Sequence, residues 1–142
     1  MTADKREYGD GDATYQAAGQ LPGLTQLCDR FYQIMDTLPE AASLRAMHPA
    51  DLTESSRKLA FFLSGWTGGP KLYREHYGPI SIPQAHAHLP ADLHSTRAWL
   101  TCMDQALQQL DYPDDFREYL IRELNRPAQR VLQVCQHRMA NR

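Results

Sequence analysis

An all-α domain is the fold class this sequence predicts, on three observations. Valine and isoleucine together supply six of the 142 residues while leucine alone supplies seventeen, a balance that favours helix over strand. The clear apolar spacings are three and four rather than two, as on one face of a helix. At this length the chain forms one domain with a substantial core.

The elements follow in order. MTADKREYGDGDATY is polar, and Gly9, Asp10, Gly11 and Asp12 form a run that no helix favours, so residues 1–14 are expected as a flexible segment and residues 15–142 as the folded domain. This start has no apolar stretch of signal-peptide or anchor type, so a cytoplasmic protein is the expectation. A first helix is predicted over residues 24–36, where Leu24, Leu27, Cys28, Phe31, Ile34 and Met35 share one face. Pro39 opens a short helix or turn ending near Met47, since proline suits a first helical turn, and Pro49 stops it. Asp51 with Glu54 marks the next helix start, and Leu52, Leu59, Phe62, Leu63 and Trp66 recur at helical spacing until Gly68, Gly69 and Pro70 end it.

From Pro70 to Leu93 the chain carries four prolines and three of its six histidines, so it is not one continuous helix. Ser95 is a plausible cap for a helix that places Trp99, Cys102, Met103, Ala106, Leu107 and Leu110 on one face. Pro113 begins the last helix, whose inward positions are Phe116, Leu120, Ile121, Leu124, Val131, Leu132 and Cys135, and Pro127 is expected to bend it.

Composition narrows the function. Fifteen Lys and Arg against 17 Asp and Glu give a net charge of −2, which supplies no broad field for nucleic acid or an anionic membrane. Cys28, Cys102 and Cys135 are odd in number and widely spaced, so they read as reduced, buried helix residues rather than a disulfide frame or zinc site. No Gly-rich phosphate loop or nucleophile motif is present, and Ser55 and Ser56 read as ordinary first-turn helix residues.

Histidine carries the remaining chemistry. His86, His88 and His94 lie in and just after the proline-rich connection, and three readings are open: surface or capping histidines, a zinc site of all three, or a single axial ligand to haem iron. A second constellation is Tyr32, His48 and Trp99; Tyr32 and Trp99 fall on the apolar sides of their helices, and a buried polar tip on either needs a partner.

The stretches FYQIMDTLPEAASLRAMHPADLTESSRKLAFFLSGWTGGPKLY, YG, AHAHLP and AWLTCM, in that order, resemble the truncated haemoglobins of group II. The resemblance runs from about Tyr15 to Arg138, and FLSGWxGGPxLY and AWLxCM are its specific parts. It implies a globin-like, two-on-two helical sandwich with haem b (iron protoporphyrin IX) as cofactor. Stepping forward from Tyr77 and back from Trp99, the family's proximal iron ligand falls on His86; His88, followed by Leu89 and Pro90, is the alternative. On the distal side the family's positions fall on Tyr32, His48 and Trp99, with Ser55, Leu59, Phe62 and Leu63 on the neighbouring helix and Met103 one turn beyond Trp99. Ser81, Pro83 and Ala85 stand where the family has arginines for the haem propionates, so that role would pass to Lys71, Tyr73 or Arg74.

The resemblance thus implies a five-coordinate haem that binds dioxygen or another diatomic gas, stabilised by distal hydrogen bonds. Slow release suits sensing or redox chemistry better than bulk delivery. The chain has no flavin or nicotinamide motif, so a reductant must come from outside. A haem peroxidase, a nitric oxide detoxification enzyme and an interaction module without haem are the alternatives. A monomer or homodimer is expected, with neither nucleic acid nor membrane as partner.

Overall fold

The computed structural model describes residues 6–79, 89 and 91–140, with side chains through residue 137. Its helices are α1 (Ala13–Ala17), α2 (Gln20–Thr37), α3 (Ala42–Ala46), α4 (Thr53–Trp66), α5 (Leu72–Tyr77), α6 (Leu93–Gln109) and α7 (Asp114–Ala140), with a 3-10 turn at Pro39–Ala41. There is no strand among the described residues. Helix α2 packs on α4 and α6, and α6 packs on α7, which sets one pair of helices over another. Phe31, Leu24 and Leu27 of α2, Leu63 of α4, Met103 and Leu107 of α6 and Phe116 of α7 are all fully buried where the pairs meet.

Local sequence sets the helix ends. Helix α2 extends beyond the expected 24–36 and stops where Leu38, ahead of Pro39, turns to an extended φ of −76° and ψ of 118°, because a residue before proline is pushed out of the helical region. At the start of α4 the Asp51 carboxylate accepts a 2.9 Å hydrogen bond from the Thr53 amide. The start of α6 corrects the sequence reading: Asp92, not Ser95, is the cap. Ser95 N donates to Asp92 Oδ1 at 2.8 Å and Asp92 N to Ser95 Oγ at 2.9 Å, a reciprocal box that satisfies two amides otherwise left open.

That box holds the Asp92 carboxyl below its ordinary pKa, chiefly through the Ser95 amide. A depressed carboxylate stabilises the fold above its unfolded pKa and ceases to do so as pH falls through the folded value. Asp92→Ala should therefore cost about 1 kcal/mol near neutrality, and denaturant titrations should show that deficit fading below about pH 4. An equal deficit at every pH would rule out the carboxylate as its source.

The end of α4 does more than stop a helix. Gly68 has φ +95°, and a Cβ there would lie 2.1 Å from the Gly11 carbonyl oxygen. A Cβ on Gly69 would lie 2.4 Å from the Tyr15 ring, and Tyr15 N donates to Thr67 O at 3.1 Å. The two glycines are thus the seat on which residues 11–15 rest. Ala13 and Thr14, within the segment expected to be flexible, are buried. Ahead of them, the Tyr8 hydroxyl donates to Asp115 at 3.0 Å and its ring meets Phe116 edge-on at 5.5 Å.

Helix α7 runs unbroken through Pro127, with Leu120, Leu124, Leu132 and Cys135 buried on either side of it. All three cysteines are buried and none is disulfide-bonded, as the sequence suggests. Burial pushes the Cys102 thiol up to about 11, and that of Cys28 higher still, with the Asp29 charge adding to burial there. No helix among the described residues is long and apolar enough to cross a membrane.

Candidate functional site

Tyr32, His48 and Trp99 come from three different segments, and the fold brings them together. The Tyr32 ring meets His48 edge-on at 5.6 Å and Phe31 at 4.9 Å, and Phe31 meets Trp99 at 5.1 Å. Phe31 is the member not singled out as a site residue from the sequence: as a fully buried ring of α2 it joins Trp99 on α6 to Tyr32. Its only signal is its place beside Tyr32 on the broad apolar face of that helix.

The polar tips decide what this cluster can do. The hydroxyl of Tyr32 and the indole N–H of Trp99 make no hydrogen bond to another described residue, although no buried side-chain nitrogen or oxygen among those residues is left unpartnered. Both groups therefore keep some open surface. Burial, with a smaller contribution from Cys28, pushes the Tyr32 phenol well above its ordinary value of 10, so it stays protonated and able to donate. His48 Nδ1 lies 2.9 Å from the Leu44 carbonyl; a carbonyl only accepts, so this nitrogen carries the proton.

Several apolar side chains packed against the core remain incompletely covered. Leu59 and Phe62 of α4 are partly buried, as are Leu52, Trp66 and Trp99, and Phe62 stacks on Trp66 at 6.4 Å. Ser55 is also half-buried. Leu63 and Met103 differ, being sealed in the core at 0% exposure. On α5, Tyr73 packs against Tyr77 at 5.0 Å, while Lys71 and Arg74 are exposed. The cations that approach Tyr77 come instead from α4, with Arg57 at 6.0 Å and Lys58 at 5.3 Å from its ring.

His86 and His88 lie outside the described residues, as do Ser81, Pro83 and Ala85. His94 stands exposed in the first turn of α6, and no three metal-ligating side chains converge among the described residues. A groove of about 820 Å³ between α6 and α7, lined by residues such as Leu100, Asp104 and Arg122, is separate from the aromatic cluster.

The bacterial-like globin family model matches residues 13–133. The chain is a bacterial-like globin, a truncated haemoglobin of group II. It is 34% identical over 121 residues to the Group 2 truncated hemoglobin YjbI of Bacillus subtilis, covering 85% of this chain and 89% of that protein. Among solved structures it is similar to the Group II 2-on-2 hemoglobin of Agrobacterium tumefaciens, with TM-score 0.79, 32% identity and coverage of 92% and 97% of the two chains. It is likewise similar to a truncated oxygen-avid haemoglobin of Bacillus subtilis, with TM-score 0.77, 34% identity and coverage of 84% and 98%. The paired helical layers are thus the two-on-two globin fold.

Membership implies a haem cofactor, and the residues of this globin fit one. A porphyrin is a flat apolar body, and the partly covered side chains of Leu52, Leu59, Phe62 and Trp99 supply apolar surface to receive it. The two donors that bond no described residue, on Tyr32 and Trp99, are joined through the Phe31 ring.

Proposed function

We propose that this haem-binding globin holds haem b through His86 and binds dioxygen or another diatomic gas at a five-coordinate iron, with Tyr32, Trp99 and His48 as the distal polar groups. The observation that carries the reading is the aromatic cluster itself, in which Tyr32, a residue 8% exposed whose hydroxyl bonds no other described residue, meets both His48 and Phe31. The oxygen avidity of the similar Bacillus subtilis haemoglobin supports it.

When bound, the haem supplies the open metal position at which a gas is held. The protein supplies the rest. Partly covered aliphatic and aromatic side chains keep water from the site, which strengthens any hydrogen bond formed there. Tyr32 and Trp99 offer donors to a ligand whose outer atom draws negative charge, and such charge-assisted bonds are worth roughly 1.5–3 kcal/mol. Phe31 fixes both rings edge to face. The ligand leaves only when these bonds break, so the design favours slow release.

Spectra of the ferric, ferrous and carbonyl forms test the reading. The parent and His88→Ala should give a ferrous spectrum typical of one imidazole ligand, and His86→Ala should lose it. If His88→Ala loses it instead, or if haemin added to the parent gives no shifted Soret band, the axial assignment is wrong.

A further inference from the structure

One arginine ties together the segment that carries His48. Arg45, in the last turn of α3, donates from Nε to Asp36 Oδ1 at 2.9 Å, from Nη1 to the Pro49 carbonyl at 2.9 Å and from Nη2 to the Ala50 carbonyl at 3.0 Å. All three guanidinium nitrogens are thus engaged. Asp36 stands at the end of α2, one turn beyond Tyr32, whereas Pro49 and Ala50 immediately follow His48. On its other side, His48 is held by its backbone amide to Arg45 O at 3.0 Å and by its ring to Leu44 O. The histidine is therefore bracketed by one side chain and the turn that bears it.

The geometry suits arginine and not lysine. A planar fork meets three separate acceptors at once, while an ammonium is a point charge on a flexible stem. The Arg45 side chain is 22% exposed and that of Asp36 is 58% exposed, so the ion pair alone contributes little in water. The two carbonyl bonds are what fix the backbone of residues 49 and 50. Nothing in the local helix would otherwise hold these residues, because α3 ends at Ala46 and α4 starts at Thr53.

We propose that Arg45 is the positioning residue of the distal side: by clamping the chain on both sides of His48 to the end of α2, it sets the contact of the His48 ring with Tyr32. The inference rests on the proposed distal role of His48 and Tyr32 and adds the residue that holds them together.

The test uses the haem-loaded protein in its carbonyl form. Two-dimensional NMR should show a cross-ring contact between His48 and Tyr32 in the parent, absent or weakened in Arg45→Ala and not restored in Arg45→Lys. Arg45→Ala should also shift the carbonyl stretching band and raise dioxygen dissociation roughly three- to tenfold. In a His48→Leu background, the same arginine change should have no further effect on either readout. Arg45 is rejected as a positioning residue if the ring contact survives in Arg45→Ala, or if the Arg45 and His48 effects add independently. If the ring contact is lost as expected but His48→Leu leaves the stretch and the dissociation rate unmoved, the distal role of His48 fails and the functional half of the proposal with it. Asp36→Asn, which keeps the acceptor and the carbonyl bonds, should retain most of the contact and serves as the folded control.

Discussion

Tyr32→Phe should release dioxygen about ten- to a hundredfold faster than the parent, the change expected from losing one charge-assisted hydrogen bond of roughly 1.5–3 kcal/mol. The substitution removes a single oxygen and leaves the ring packed between Phe31 and His48, so the apolar contacts that shape the site persist. Stopped-flow dissociation on the ferrous protein reads the effect directly. Trp99→Phe should accelerate release in the same direction, because its indole N–H likewise bonds no other described residue. The double variant should fall short of the product of the two fold-increases over the parent, since one ligand accepts from both donors. Because burial holds the Tyr32 phenol protonated well past its ordinary value, the parent rate should show no alkaline acceleration traceable to this residue up to pH 10. Unchanged rates in both single variants would reject the distal network.

The second large effect is on stability, at the seat formed by Gly68 and Gly69. Gly68→Ala meets two penalties together: a side chain in the left-handed region at φ +95°, and a Cβ 2.1 Å from the Gly11 carbonyl oxygen, an atom that moves only if the backbone moves. We expect a loss of about 2–4 kcal/mol, which for a domain of this size lowers the melting temperature by roughly 10 °C. Gly69→Ala isolates the packing part, because the atom it meets is the Tyr15 ring at 2.4 Å. In a Tyr15→Leu background the Gly69→Ala cost should shrink to a small fraction of its value. Equal costs in the two backgrounds would mean that the ring is not what the glycine accommodates.

These two positions also show how far a sequence can be read. Gly68, Gly69 and Pro70 are legible as a helix stop because that meaning is local. Their second role depends on Gly11 and Tyr15, more than fifty positions away, and no local pattern carries it. The same division runs through the site. Tyr32 and Trp99 are recognisable from the apolar faces of their own helices, and the motif resemblance singles out His48. That the three share one cluster is set by the crossing of α2 and α6 and by the chain after α3.

The start of α6 teaches a narrower lesson. Asp92 and Ser95 are both good capping residues, and an Asp-x-x-Ser order departs from the usual box with a long acidic or amide residue in third place. Only the hydrogen bonds choose between them. Arg45 was unreadable for another reason. Its acceptors are one carboxylate and two backbone carbonyls, and backbone acceptors leave no mark on the composition of the residues that provide them.

Three thiols sealed between helices make this molecule a gauge of its own breathing. A maleimide or disulfide reagent reaches Cys28, Cys102 or Cys135 only when the layer covering each one parts. Labelling rates, followed cysteine by cysteine in mass spectra, would chart which seams open first and whether a loaded cofactor keeps them shut.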